Sequence, residues 1–412
     1  NQQCTECQAS FTHHVWRACV QVRQKVTHKR TFLYLEQVLL KHGMTSQCLG
    51  ITEQRDGIDF FFSSRSHAQA FVTFLHSVVP VEAKQSKRLV SHDHKSNIAK
   101  FKYTFFVEIA PVCRGDLVIV PSKARTKLGG RSPIVLAYKI TSALYLIDPT
   151  SLHVIEFNSS QYFTHRFESI ASSKDFSLFF VMAVKHLVTL GLDILFFSFQ
   201  KHNKFQLAEV ELVRENEVGT DGAMILETVT HLGGIIREGD TVCGYDLQRL
   251  SNAREFLNTN TEFLRYTRKM KLPDVIIVKK NYNRSGRHAR KRKWKLKTLP
   301  KEKAYEVDKH TQQKEEEDAE EFMRELEEDL EMRLKINIYK DREKLERIAR
   351  GGDDVASIAT SEGHEDVPKI PIDELLDDLN ELKLDEVKNP NHERMPDKGK
   401  NKDEDEDLED IN

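Results

Sequence analysis

Residues 101–120 read FKYTFFVEIAPVCRGDLVIV, and the fold changes character inside them. Phe101, Tyr103, Phe105, Val107 and Ile109 recur at every second position, the pattern of a strand with one buried face. Pro111 ends it, since proline has no N–H to give to a strand ladder. Gly115-Asp116 then supplies a turn, and Leu117-Val118-Ile119-Val120 forms a short apolar strand. An α/β unit closes here and an all-β unit opens.

Upstream, Arg17 to Arg30 reads as a basic approach. Phe32, Leu35, Val38 and Leu39 then share one helical face, with Gly43 placed to cap the helix C-terminus. Ile58–Phe62 is a short apolar strand. Ser64 or Ser66 caps a second helix, with Ala70, Phe71, Phe74, Leu75 and Val78 facing inward. A strand around Val81–Val90 completes an α/β domain over residues 21–111.

Downstream, apolar segments at Ile134–Ile140, Ala143–Ile147 and His153–Phe157 are separated by the turns Gly129-Gly130, Asp148-Pro149 and Asn158-Ser159-Ser160. Short strands at this spacing predict an SH3-like barrel over 112–165. A second β unit over 166–280 has strands near Leu207–Val213, Met224–Thr230 and Thr241–Leu247, closed by Val275–Val278, and is expected to be OB-like. Its turn Gly239-Asp240-Thr241-Val242 echoes Gly115-Asp116-Leu117-Val118. The expected fold class is α+β multidomain, with tandem small β-barrels.

The 412 residues carry a formal net charge of −2, a total that hides an asymmetry. The chain leans basic up to residue 303, whereas eleven of the seventeen residues from Glu315 to Glu331 are acidic. Local fields rather than the sum select partners, and the basic body points to RNA. The longest apolar run, Leu187–Phe199, is too short to span a bilayer and contains Asp193, so no membrane partner is expected. The scattered cysteines, with one close pair, fit a reducing compartment.

The C-terminal part holds two signals. Lys279, Lys280, Arg284, Arg287, Arg290, Lys291, Arg292, Lys293, Lys295 and Lys297 concentrate positive charge around Trp294, the pattern of an RNA-binding or nuclear import segment over 281–303. Counterion release favours such density on a phosphate backbone, and the indole is read as a base-stacking platform. The competing reading is a solvated linker paired with the acidic helix of 304–350, whose thin stripe is Phe322, Leu326, Leu330 and Leu334. In the tail of 351–412, expected to be disordered, Ile370, Ile372, Leu375, Leu379, Leu382 and Leu384 form a ladder. Leu375, Leu379 and Leu382 share a helical face and Leu384 needs an extended step, which suits a peptide laying anchors into a hydrophobic groove.

Other motifs are sparse. Cys4-x-x-Cys7 has the bite of half a zinc site, and His13 and His14 are too close to complete it. His92-Asp93-His94 has no nucleophile beside it, and its flanking Lys87, Arg88 and Lys95 suit a phosphate-facing loop. No Walker loop, G-x-S-x-G or H-E-x-x-H occurs, so no enzyme is expected.

A family pattern runs from about residue 4 to residue 341. It includes Trp16-Arg17, Val22-Arg23-Gln24-Lys25, Phe32-x-Tyr34-Leu35-Glu36-Gln37, Asp59-Phe60-Phe61, Ser63-Ser64 and His67-Ala68-Gln69. Ser142-Ala143-x-Tyr145-Leu146-Ile147-Asp148-Pro149, His231-Leu232-Gly233, Gly239-Asp240, Gly244-Tyr245-Asp246-Leu247, Pro273-Asp274-Val275 and Trp294-Lys295-Leu296-Lys297 continue it. The chain resembles the Nmd-three family, the nuclear export adaptor of the large (60S) ribosomal subunit. The resemblance implies a ribosomal-protein-like first domain, two barrels bound to the subunit joining face, and a leucine signal that recruits exportin one with Ran-GTP. An import receptor on the basic segment would complete shuttling between nucleus and cytoplasm. It also implies that Cys4 and Cys7 are the last pair of a zinc-binding N-terminal domain, of which residues 1–20 are a remnant, so zinc goes with the rest of that domain. Family members are generally polar where this chain reads Leu187–Phe199, which marks that run as an artefact of translated intron sequence. A ribosome-associated translation factor or RNA-binding protein that does not shuttle is the alternative.

Overall fold

The computed structural model describes residues 16–95, 97–121, 123–124, 132–187, 205–220, 222–249, 273–282, 292–306, 308–349 and 368–377. Cys4, Cys7, His13, His14 and most of the Leu187–Phe199 run lie outside them.

The first sheet is built around β1 (Ala18–Arg23), which pairs antiparallel with β3 (Gly57–Phe62) and parallel with β5 (Ile98–Ile109). The basic approach expected over Arg17–Arg30 thus contains the central strand. Its alternation of Ala18, Val20 and Val22, all fully buried, is only three positions long, and charged neighbours mask it. β2 (Cys48–Gln54) and β4 (Val81–Asp93) flank these strands, and β17 (Glu302–Lys303) adds a sixth from far along the chain. Helices α1 (Arg30–Lys41) and α2 (Arg65–Val78) cover one face. Phe32, Leu35, Leu39, Phe71 and Leu75 meet Val20, Phe60, Phe62, Phe105 and Val107 in one core. Ser64 caps α2, its side chain accepting from the Ser66 amide at 3.2 Å. Gly43 follows α1 with φ +62°, a conformation glycine adopts without a Cβ penalty. On α2 it is Ala68, fully buried, that faces the core, and Ala70 is exposed.

The second sheet orders β10 (Ser169–Ala171), β6 (Leu117–Ile119), β7 (Ile134–Ile140), β8 (Ala143–Ile147) and β9 (Val154–Asn158), with α3 (Ser159–Thr164) after β9. The third orders β13 (Leu226–Thr230), β12 (Ala208–Arg214), β11 (Ser177–His186), β14 (Thr241–Asp246) and β15 (Val275–Asn281). β11, absent from the expected strands, is its central member. The two sheets share apolar contacts, with Leu117, Ile119, Ile134, Leu136 and Ile147 packing on Tyr245, Leu247 and Ile276.

The sequence echo is also a structural one. Gly115 and Gly239 both sit at φ +86°. Asp116 accepts from the Cys113 amide at 2.8 Å, and Asp240 from the Arg237 amide at 2.7 Å. Each turn is tied twice to a neighbouring strand. Gly115 N–H donates to Ala137 O at 2.7 Å and Gly239 N–H to Val181 O at 2.9 Å, while Ala137 and Val181 donate back to Asp116 O and Asp240 O at 3.0 and 2.9 Å. A side-chain oxygen accepting from an amide three residues back holds such a turn, and the positive φ selects glycine.

Beyond Pro300 the chain keeps packing, contrary to the expectation of a solvated helix; of the tail over 351–412, residues 368–377 are described. Helix α4 (Lys309–Glu328) lies on α1, followed by α5 (Leu330–Arg333), β18 (Tyr339–Lys340) and α6 (Arg342–Ala349). β18 pairs antiparallel with β16 (Trp294–Lys295). Phe322 and Leu326 are buried with Val38, Trp294, Ile336, Ile338 and Leu375 in a separate small core. Leu330 and Leu334 stay exposed, so only half of the expected stripe faces inward. No helix among the described residues is long and apolar enough to cross a membrane.

Candidate functional site

The basic segment and the acidic helix meet. Arg292 is buried, with both terminal nitrogens on Glu320 at 2.5 and 2.8 Å and Nε on Glu327 at 2.9 Å. Burial works against its charge, and the two carboxylates overcome that and hold it more firmly protonated than usual. Trp294 is 6 % exposed, beneath the Arg292 guanidinium at 5.6 Å. Its ring is therefore a core element here, and the expectation of a solvent-facing stacking platform is not met. Lys297 Nζ lies 4.5 Å from the Tyr339 ring, and Lys295 pairs through its backbone with Tyr339. Lys279 Nζ is 5.7 Å from the Phe176 ring, and Lys280 is 2.9 Å from Asp240. The backbone carbonyl of Lys293 accepts from Asp341 at 2.9 Å. Arg284, Arg287, Arg290 and Lys291 lie outside the described residues.

The acidic helix also clamps the first sheet and the barrels. Lys29 is bonded by Glu53, by Glu315 at 2.8 Å and by Tyr305 at 2.5 Å. Burial would raise the Glu315 carboxyl, yet hydrogen bonds from Lys29, Lys303 and Tyr305 bring it down to about 2. Arg30 pairs with Glu325 and, at 3.2 Å, with Glu321. Arg114 pairs with Asp329, and Lys139 with Glu331 at 2.6 Å.

Where these elements meet, a cleft of about 580 Å³ is lined by residues such as Gln24, Arg30, Tyr34, Cys113, Tyr138 and Asp329. Its chemistry does not suit nucleophilic catalysis. Burial pushes the Cys113 thiol up to about 12, so the reactive thiolate is not populated. Burial, then the Arg30 charge, brings His28 down to about 3, which leaves a weak base. Among the described residues no group of His, Cys, Asp and Glu has a metal-binding arrangement.

The second charged region is the β4–β5 hairpin, where Lys84 faces solvent with Lys87, Arg88 and Lys100. The register sets Arg88 opposite Lys102, Leu89 opposite Phe101 and Ser91 opposite Lys100. Lys102 Nζ stands 3.8 Å from the centre of the Trp16 ring, and Trp16 lies 5.4 Å from Phe61. Lys87 is 5.5 Å from the Phe101 ring and Arg65 4.8 Å from the Tyr103 ring. Among the described residues, Lys87, Arg88, Lys100 and Lys102 form no ion pair. His92 and His94 meet edge to face at 4.6 Å on exposed chain. Lys100 and Lys102 were not singled out from the sequence, and Trp16 and Phe61 entered only through the family pattern. Their signal, cations alternating with aromatics in FKYTFF and its flanks, was consumed in reading the strand.

Of the leucine ladder, Ile370, Ile372 and Leu375 are described; Leu379, Leu382 and Leu384 are not. Leu375 is 6 % exposed in the core with Trp294, whereas Ile372 is 49 % exposed. Leu376 N–H donates to Ile338 O at 2.8 Å, and Lys340 N–H donates to Leu376 O at 2.9 Å. Arg333 lies 3.3 Å from Glu374, and Lys340 lies 3.3 Å from Asp377.

Three family models match this chain: the second domain of NMD3 over residues 15–109, the NMD3 SH3 domain over 112–160 and the NMD3 OB-fold domain over 188–280. A Chaetomium thermophilum protein named 60S ribosomal export protein NMD3 is 40 % identical over 372 residues, 88 % of this chain and 67 % of that protein. The human protein of that name is 37 % identical over 347 residues, and the Saccharomyces cerevisiae protein 35 % over 352, each alignment covering 83 % of this chain and 64 % of the relative. The chain thus spans roughly two thirds of the length of these relatives.

Proposed function

The chain belongs to the NMD3 family, and on that premise we propose that it is an adaptor for nuclear export of the large ribosomal subunit. In this reading it binds ribosomal RNA of the pre-60S particle and recruits exportin one with Ran-GTP through Ile370–Leu384. The basic run around residues 284–291 serves an import receptor, so that the protein shuttles between nucleus and cytoplasm.

The observation that carries the RNA half is the β4–β5 hairpin. Arg88 and Lys102 share one of its faces and Lys87 and Phe101 the other. Among the described residues Lys87, Arg88, Lys100 and Lys102 pair with no carboxylate, and Lys87 and Lys102 lie on aromatic rings, a combination that binds an exposed nucleic-acid strand by charge and stacking. Arg292, by contrast, already has two carboxylates and would have to leave them to reach phosphate. For the export half, the support is the names of the relatives and the ladder's anchor spacing.

Deleting Ile370–Leu384 from the tagged protein tests the reading in cells. Nuclear accumulation of both the protein and large-subunit precursors is expected. An unchanged cytoplasmic distribution would overturn it in favour of a ribosome-associated factor that does not shuttle.

A further inference from the structure

We infer that the pocket formed by Val38, Trp294, Phe322, Leu326, Ile336 and Ile338 is a peptide-binding site whose resident ligand is the chain's own leucine-rich segment. The docked segment withholds the Leu375 anchor of the export signal. This inference rests on Ile370–Leu384 being an exportin-binding signal.

Leu375 is buried in this pocket and Ile370 packs at its border. One side chain cannot fill the pocket and an exportin groove at once. The backbone makes the two states exclusive as well. Leu375 is extended, with φ −87° and ψ 132°, and Leu376 forms a parallel bridge to Tyr339. Both polar groups of Leu376 are spent on Ile338 and Lys340. For Leu375, Leu379 and Leu382 to share a helical face, a helix must run from the start of the ladder. The Leu376 carbonyl would then accept from the amide four residues on. That carbonyl is already bonded to Lys340.

The docking mode is strand addition: main-chain bonds hold the peptide and a side-chain pocket gives selectivity. Charge is complementary too, since Arg333 and Lys340 on the rim face Glu374 and Asp377 on the peptide. The peptide that fits this site is a short acidic segment with one branched apolar anchor. Ile372 remains outside the pocket, so closure removes one anchor and the helical start, not every contact. When only the undocked fraction can bind a partner, the apparent affinity falls by that fraction.

The test is equilibrium binding of full-length chains to exportin one with Ran-GTP. Two variants open the site by different routes. Lys340→Glu repels the peptide at Asp377 without touching the apolar pocket, and Ile338→Ala shortens a pocket wall. Leu379→Ala/Leu382→Ala damages the ladder while leaving Leu375 and the pocket residues unchanged. Opened variants are expected to bind about tenfold tighter than the parent, as for a site free one-tenth of the time, and the ladder variant at least tenfold weaker. Amide exchange at Leu376 should quicken in the opened chains, and circular dichroism reports that they stay folded. If neither opened variant gains affinity while the ladder variant loses it, the masking is wrong and the export signal stands. If the ladder variant binds as well as the parent, the signal itself is wrong and the masking falls with it.

Discussion

Two runs of lysine and arginine meet opposite fates in this molecule. In one, Arg292 is drawn into a seam with Glu320 and Glu327, over the Trp294 ring. On the β4–β5 hairpin, Lys87, Arg88, Lys100 and Lys102 stand without a carboxylate among the described residues. Charge density alone does not distinguish them. The difference is made by an acidic helix that reaches Arg292 and not the hairpin, so Arg292 carries structure while the hairpin cations stay available to the polyanion proposed above.

The largest expected effect tests the hairpin. Replacing Lys87, Arg88, Lys100 and Lys102 with alanine should weaken binding to a single-stranded ribosomal RNA fragment at least about a hundredfold at low salt. The log–log salt slope should fall by about three, as for four lost contacts at roughly 0.7 each. Fluorescence anisotropy across salt concentrations measures both, and an unchanged slope would move the RNA site elsewhere.

Next in size is the seam. Arg292→Ala leaves Glu320 and Glu327 without their buried partner and should cost roughly 3–5 kcal/mol by denaturant unfolding, with RNA affinity changed less than about threefold, well under one lost phosphate contact. A large loss of RNA affinity at unchanged stability would erase the contrast between the two regions.

The seam should also be acid-sensitive. Glu315 is held down to about 2, so its stabilising contribution is present above its ordinary pKa near 4.5 and is lost as pH falls from there towards 2. Glu315→Gln should flatten the fall of the urea midpoint over that window; a parallel curve would assign the acid loss to other carboxylates.

The smallest effect belongs to Asp116, in the turn shared by the two barrels. Burial, opposed by the Cys113 amide and the Arg30 charge, pushes its carboxyl up to about 7. A raised acid stabilises the fold when protonated, so its contribution fades as pH rises from about 4 through 7. Asp116→Asn should therefore gain in melting temperature relative to the parent between pH 5 and 8. A constant difference across that range would show that Asp116 does not titrate in it.

Much of the fold could be read from periodicity, and the reasons for the failures are physical. Helices α1 and α2 and most barrel strands have patterns long enough to stand alone, and the Gly-Asp turns declared themselves twice. β1 has three inward positions. β11, SLFFVMAVKH, buries Phe179 and Val181, but its outward Leu178 and Met182 are apolar too although exposed, so the sequence shows no alternation. The tail misled for another reason. Whether Phe322 and Leu326 are solvated depends on Trp294 and Val38, and whether the helix's carboxylates are solvated depends on Arg30, almost three hundred residues away. No local window contains that information. The same holds for Leu375, whose ladder spacing suggests a free peptide but cannot reveal a pocket on its own chain.

The return of β17 to the first sheet bears on how the protein is made. Glu302 and Lys303 pair with Thr52 and Glu53, Ala304 N–H donates to Glu53 O at 3.0 Å, and Leu299 fills the first core. During synthesis the edge of β2 therefore stays unpaired until some 250 further residues have emerged, tens of seconds at roughly 5–20 residues per second. For that interval β2 is an open template for a foreign strand. A nascent-chain chaperone would find its work there, and the fold's earliest sheet is among the last to be finished.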